Sequence, residues 1–444
     1  MKERILVFAG LLLSALVQAQ TPSSPMRLSL EEARAIALKN NPDLQIKQLE
    51  VNITKAQADQ ARLRRIPLIY GDFNMQRNLI IPVTPVPANA FRPDAAEGEL
   101  IPLRFTTKWT SNAGLNAELN IFNPERRTEL AEARLQTQIR ETEKEAEEID
   151  LRYNLDEAYA AAIIAAEQLK LAASDTLNNY TVWKMSKEQF DAGRLMQADL
   201  NKVKADLNNA KNNFEEAEKI WKQAKAELMV TMGYPPSDEA ALELTDDIES
   251  LFSSYQQSQI SSNESIALKK LQQEAGLLNT QLNSTKAGYL PSIVLKAYYG
   301  ASYFDNRFEI FKGNTWYGNS FINLGVRLPI TEGLERSKKL AEIRLQTESN
   351  RLSYLSQQNK NELERLEATR DIAILEKKYL RSKENYDLAA DTYRIAQQQY
   401  ESGRLLIGDL SKSNYAYQLE KNNYLNVAYD YIIAKMKLEK AVRN

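Results

Sequence analysis

The sequence contains no cysteine and no histidine. These absences exclude Cys nucleophiles, zinc sites built on Cys or His, disulfide frameworks and any Ser-His-Asp triad. They also remove the cysteine on which bacterial lipoproteins carry their lipid. Charge of one sign is lacking too. The 57 Lys and Arg against 59 Asp and Glu leave a net charge of −2, which gives no reason to expect nucleic acid as a partner. Long apolar runs are equally scarce. The one at the N-terminus, Ile5 to Val17, follows Lys2 and Arg4 and ends at Val17-Gln18-Ala19. Residues 1–19 therefore read as a secretory signal peptide. No other stretch reaches the about 18 apolar residues of a spanning helix. An exported chain of this kind enters a membrane only as a closed β-barrel.

What is present is one unit written twice. Leu130-Ala-Glu-Ala-Arg-Leu-Gln-Thr137 returns as Leu340-Ala-Glu-Ile-Arg-Leu-Gln-Thr347, offset by 210 residues. The same offset relates Gln189-Phe-Asp-Ala-Gly-Arg-Leu195 to Gln399-Tyr-Glu-Ser-Gly-Arg-Leu405, and Lys211-Asn-Asn-Phe214 to Lys421-Asn-Asn-Tyr424. A register held this far without a gap marks a duplication. The expected organisation is repeat 1 over 20–233, a linker or equatorial segment over 234–262, and repeat 2 over 263–444.

Each repeat has the same order. A helix (43–64; 263–287) leads to two strands, then a long helix, a Gly break and a returning helix. The strands are expected at about 66–78 and 103–122, and at about 289–304 and 315–330. Leu115, Ala117, Leu119 and Ile121 alternate with polar residues, as do Ile293, Leu295, Ala297 and Tyr299. That period of two, with aromatics near the ends, fits a membrane barrel strand; a soluble antiparallel sheet is the alternative. Residues 79–102 carry five prolines and are expected to lack regular structure. The runs 125–191 and 333–401 are free of proline, and at 1.5 Å per residue each makes a helix of roughly 100 Å. The returning helices (196–231; 406–441) are about half as long. With the helix that precedes the strands they sum to the long helix, so two short helices stacked end to end are expected beside each long one. Tyr379, Tyr386, Tyr393 and Tyr400 recur every seven residues. Such spacing marks a left-handed coiled-coil seam. Four strands cannot close a barrel and lipid tolerates no open edge. Several protomers must then share one barrel, and three would supply twelve strands.

The chain resembles the TolC family of outer-membrane efflux proteins over nearly its whole mature length. The resemblance rests on the duplicated plan, on Gly288-Tyr-Leu-Pro-Ser292, on Gly193…Asp199 and Gly403…Asp409, and on Leu28-Ser-Leu-Glu-Glu-Ala33 with Asn40-Asn-Pro42. It implies a mainly α, α+β fold: an α-helical coiled-coil tunnel joined to a shared twelve-stranded transmembrane β-barrel. It implies a homotrimer in the outer membrane of a Gram-negative cell, reaching into the periplasm. Such a trimer is the exit duct of tripartite efflux (RND or ABC type) or type I secretion, with a gated entrance. The implied partners are a periplasmic adaptor, an inner-membrane pump and outer-membrane lipid; no cofactor, metal or nucleic acid is expected. By match to the motif, Gly193, Arg194, Leu195, Gly403, Arg404 and Leu405 are candidates for the adaptor contact. Asp199 and Asp409 are candidates for an acidic periplasmic aperture, where crowded like charges attract cations. The competing roles of these residues are tight turns and complements to the helix dipole. Lys412 follows Asp409 and would offset part of such a ring. Two other functions compete: a periplasmic coiled-coil scaffold, and a hydrolase using paired carboxylates. For the second, the acidic residues read as solvated helix faces, as in Glu141 to Glu148, and no catalytic residue can be named.

Overall fold

The computed structural model describes residues 26–236, 242–257 and 265–443. The expected signal peptide lies outside the described residues, as do 237–241 and 258–262 of the expected linker and 263–264 of the expected second repeat. The described chain forms two compact units, and neither follows the repeat boundaries. Of the described residues, unit one draws on 26–45, 146–236, 242–257 and 361–443; unit two is made of Ile46–Glu145 and Ser265–Lys360.

Unit two holds the main sheet. Strands β2 (Leu68–Arg77), β5 (Trp109–Phe122), β7 (Ser292–Asp305) and β8 (Trp316–Arg327) lie in the order β2-β5-β7-β8. All neighbours are antiparallel. The register sorts the side chains into two faces. Leu115 stands opposite both Gly71 and Tyr299, Ala117 opposite Ile69 and Ala297, and Leu119 opposite Leu295. Ile322, Leu324 and Val326 continue that face on β8. The intervening positions carry Asp72, Asn74, Asn112, Asn116, Glu118, Lys296, Asn319 and Asn323. The apolar face is uncovered. Ile69, Phe73, Leu115, Tyr299, Ile322, Leu324 and Val326 are 58–80% exposed. Soluble monomers rarely expose a continuous apolar surface of that kind, which marks a contact with membrane or with another protein. On the opposite face Asn116 bonds Asp72, and Lys296 lies 3.5 Å from Glu118, so its polar groups find partners within the sheet.

The first strand pair differs from expectation. The residues anticipated to begin the second strand split. Leu100–Leu103 forms a separate strand, β4, paired with β3 (Thr84–Pro87). Regular structure therefore exists inside the proline-rich segment. Pro85 faces Pro102 in this short ladder. Proline lacks only the N–H, so it can stand where that group points away from its partner strand.

Helices α2 (Pro42–Leu63), α3 (Pro124–Asp191), α6 (Ile266–Ala287) and α7 (Glu332–Glu401) have the expected limits within about three residues. The returning helices are α4 (Gln197–Thr231) and α8 (Ile407–Arg443). Among the described residues no helix is long and apolar enough to cross a membrane.

In unit one, part of the segment expected to be a linker is structured, as β6 (Leu242–Leu244) and α5 (Ile248–Gln257). The residues ahead of α2 form β1 (Met26–Leu28) and α1 (Leu30–Asn40). β1 and β6 pair in parallel. Ser29 and Glu32 form a capping box that starts α1, and its reciprocal hydrogen bonds satisfy end groups that would otherwise be orphaned. Asn41 starts α2: its Oδ1 accepts from the N–H of Asp43 (2.9 Å) and Leu44 (3.2 Å). Its amide donates to the Thr231 carbonyl at 3.0 Å. α4 ends on Gly233 at φ 87°, where a Cβ would lie 2.6 Å from the Asn40 carbonyl oxygen. Only glycine fits this approach.

Candidate functional site

The two helical hairpin turns are built alike. α3 and α7 end at glycines with φ +71° and +72°, Gly193 and Gly403. The Gly193 N–H donates to the Phe190 carbonyl and the Arg194 N–H to the Gln189 carbonyl, both at 2.8 Å. Gly403 and Arg404 repeat this with Tyr400 (2.9 Å) and Gln399 (2.8 Å). This is a Schellman closure, in which a left-handed residue lets two N–H groups return to the last helical carbonyls. It explains why glycine stands at both positions. Gly193, Arg194, Gly403 and Arg404 are exposed; Leu195 and Leu405 are half-buried. Leu405 packs against a cluster made of Val203, Tyr393, Ala396, Tyr400, Ile407 and Leu410, which joins residues of both hairpins.

Asp199 and Asp409 occupy the third residue of α4 and α8, and the N–H of each donates to the residue that caps its helix, Met196 and Leu406, at 3.1 Å. An acid here complements the positive helix N-terminus. Asp199 is half-buried and Asp409 exposed. Lys412 Nζ lies 3.3 Å from the Asp409 carboxylate. Both side chains of this pair are exposed, so the pair offsets charge without adding much stability.

The tyrosine seam meets a partner that the heptad reading of α7 passed over. Tyr417, Tyr424 and Tyr431 on α8 recur at the same spacing of seven. The rings interleave. Phe252 stacks on Tyr379 at 3.8 Å between centroids, followed by Tyr379–Tyr424 (5.5 Å), Tyr424–Tyr386 (5.6 Å), Tyr386–Tyr417 (5.9 Å) and Tyr417–Tyr393 (5.5 Å). Offset aromatic pairs of this kind stabilise beyond their buried area. The Tyr379 and Tyr424 hydroxyls meet at 3.3 Å. Burial raises the Tyr393 phenol to about 12, aided by the charge of Asp175. At the end of the seam the Tyr400 hydroxyl meets the buried Ser186 hydroxyl at 3.2 Å, tying α7 to α3.

Two polar clusters had no signal in the sequence. The Asp175 Oδ1 accepts from Asn179 (2.9 Å), Asn414 (2.8 Å) and Gln418 (3.1 Å). Burial nevertheless raises this carboxyl above its ordinary range; the amides oppose that shift and Asp206 adds to it. In the second cluster the Asp156 carboxylate accepts from Arg34 Nε (2.7 Å) and Nη2, and from the Tyr255 hydroxyl (2.8 Å). Burial works against the Arg34 charge, but Asp156 outweighs it and holds the guanidinium firmly protonated. Burial and the Asp156 charge push the Tyr255 phenol up. α1, α3 and α5 are thereby tied through one carboxylate. Among the described residues, no three Asp or Glu side chains are grouped to hold a metal ion.

The family model for outer membrane efflux proteins matches residues 34–234. No curated protein matches the chain by sequence. Among solved structures, the chain is similar to the CmeC outer membrane channel of Campylobacter jejuni. The identity is 16% and the TM-score 0.73, covering 93% of this chain and 85% of that one. It is similar to the outer membrane protein VceC of Vibrio cholerae at 15% identity and a TM-score of 0.71, covering 93% and 95%. It is also similar to the open state of the MtrE outer membrane channel of Neisseria gonorrhoeae, at 18% and 0.67, covering 93% and 88%.

Proposed function

We propose that this chain belongs to the outer membrane efflux protein family, whose model matches residues 34–234, and that three copies of it form one outer-membrane exit duct. The carrying observation is the sheet. It has an uncovered apolar face, a polar face, and two edges, β2 and β8, without a partner among the described residues. Lipid tolerates the apolar face but not the edges. β8 of one copy and β2 of the next would run antiparallel, so three copies close a twelve-stranded barrel with no edge left. A ring contact of this heterologous type closes by rotation alone. The duct is passive: no catalytic group is assigned and the energy comes from an inner-membrane pump.

The exposed turns at Gly193-Arg194-Leu195 and Gly403-Arg404-Leu405 suit a periplasmic adaptor, because they present two copies of one geometry in each protomer. In a trimer, the three copies each of Asp199 and Asp409 narrow and charge the periplasmic mouth, and Lys412 moderates that charge. The Ser186–Tyr400 hydroxyl pair supports a mouth held shut by contacts between hairpins.

Two experiments test this reading. Outer-membrane fractions should yield heat-modifiable trimers; a purely periplasmic scaffold would yield none. Single-channel recording of Asp409→Ala should give altered cation selectivity, and unchanged conductance and selectivity would remove Asp409 from the mouth.

A further inference from the structure

We propose that a row of residues crossing the polar face of the sheet is a stacking site for planar aromatic cations, with Asp72 as the charge partner. This rests on the reading that the sheet closes around a pore. The row is Tyr70, Asn116, Tyr298 and Phe321, one residue from each strand. Tyr70 stands opposite Asn116, Asn116 opposite Tyr298, and Tyr298 opposite Phe321.

Three of the four are aromatic, on a face otherwise rich in amides and charges. Interfacial aromatics that anchor a barrel in lipid belong on its outer, apolar face near the strand ends. These rings sit on the other face, and Tyr298 lies in the middle of Ser292–Asp305, so lipid anchoring does not explain them.

The backbone is shaped to receive one ring. A Cβ on Gly114 would lie 2.6 Å from the Tyr298 ring and its hydroxyl, and one on Gly300 would lie 2.5 Å from that hydroxyl. Two glycines on adjacent strands thus leave a floor on which Tyr298 lies along the wall. Phe321 stacks beside it at 5.6 Å between centroids and 21° between planes. Tyr70 and Phe321 are 46% and 55% exposed. The outcome is a flat aromatic surface with one side supported by backbone and the other open.

The charges beside the row fix the ligand's sign. The row on one side holds Glu118 and Lys296, which pair with each other at 3.5 Å. The row on the other side holds Asp72, whose carboxylate is bonded by the Asn116 amide. Among the described residues no cation pairs with it. A planar aromatic cation can place its ring on Tyr298 and Phe321 and its charge toward Asp72. Ring stacking and cation–π attraction both favour that pose.

The test uses the full-length trimer in a planar lipid bilayer, with ethidium as the planar cation and tetraethylammonium as the non-planar one, added on the side of the β2–β5 and β7–β8 connections. Ethidium should interrupt the current. The mean block should shorten at least about fivefold in Phe321→Leu, and by a similar factor in Asp72→Asn, from the worth of one stacking or cation–π contact. Heat-modifiability of each variant checks that its barrel is assembled. Blocks unchanged within about twofold in both variants overturn the proposal, as do tetraethylammonium blocks as long as those of ethidium. Conduction without any ethidium block also overturns it and leaves the duct reading intact. An assembled trimer that never conducts sinks both.

Discussion

Asp156→Ala removes a single carboxylate on which α1, α3 and α5 converge. The carboxylate's side chain is 8% exposed and that of Arg34 18%. Three donors lose their acceptor at once: Arg34 Nε, Arg34 Nη2 and the Tyr255 hydroxyl. Breaking a buried pair by deleting one partner costs about 3–5 kcal/mol, because the other charge stays buried. Here Glu31 also reaches Arg34 and absorbs part of the loss, so the lower end, about 3 kcal/mol, is expected. At about 2–4 °C per kcal/mol for a unit of this size, the midpoint of thermal unfolding falls by about 6–12 °C. Far-UV circular dichroism of the detergent-purified protein measures it. A double-mutant cycle separates the pair from the packing. Arg34→Met alone, Asp156→Leu alone and both together are compared, each on a Tyr255→Phe background that removes the orphan hydroxyl. The double variant should recover at least about 2 kcal/mol relative to the sum of the singles, as contacting charges couple while distant ones add. Strict additivity would refute the argument, since it would mean that Arg34 and Asp156 contribute only through their carbon atoms.

Four further outcomes follow from the same geometry. Gly233→Ala should cost at least about 2 kcal/mol, because its Cβ meets the Asn40 carbonyl as well as a left-handed φ; Gly193→Ala, with the same kind of φ but open space around it, should cost about 1 kcal/mol. Tyr424→Phe should lose about 0.5–1.5 kcal/mol with the Tyr379 hydroxyl contact, seen as a lower midpoint in the same melts. Burial raises the Asp175 carboxyl above the ordinary 3.8. The folded state therefore binds the proton more tightly, and stability falls as pH rises from about 4 through that raised value. Asp175→Asn should accordingly melt higher than the parent at pH near 7, with the gap closing toward pH 4. Lys412→Gln should increase cation preference in single-channel recordings, since it frees the Asp409 charge.

The elements with local signatures were legible in the sequence. Gly193 and Gly403 end long proline-free runs, so α3 and α7 could be bounded to within a residue or so. Period-two alternation marked β5 and β7 because Leu115, Ala117 and Leu119 share one face of the sheet with Tyr299, Ala297 and Leu295. What escaped has a common physical cause: it joins residues far apart in the chain. β1 and β6 pair across 216 residues, and each is too short to show a period. Arg34, Asp156 and Tyr255 share no spacing that could announce a common carboxylate. Asp175 looks like any surface acid until Asn414 and Gln418 arrive from α8. The β3–β4 hairpin was hidden for another reason. Its prolines argue against a ladder in general, while the structure places two of them opposite each other. The α8 tyrosines were visible all along at spacing seven; searching α8 for the complement of the α7 heptad would have found them.

The duplication shows which features the architecture requires and which a single repeat has elaborated. The turn is retained in full: the same Gly-Arg-Leu, the same positive φ and the same two return hydrogen bonds occur 210 residues apart. The seam is not. Where α7 carries Tyr379, Tyr386, Tyr393 and Tyr400, α3 carries Leu169, Thr176, Trp183 and Phe190. Where α8 carries Tyr417, Tyr424 and Tyr431, α4 carries Leu207, Phe214 and Trp221. Both sets recur every seven residues, so the heptad spacing alone does not select tyrosine. The difference is a run of stacked tyrosine rings within the second hairpin, in which the Tyr379 and Tyr424 hydroxyls meet. Farther along α7, the Tyr400 hydroxyl meets Ser186 of the first hairpin. Apolar rings and aliphatic groups hold by area and tolerate small slips, whereas hydroxyl pairs must meet in one register or leave a buried polar group unpaired. The second hairpin is thus the one whose register is checked against the first, near the Schellman turns and beside the residues proposed to line the mouth.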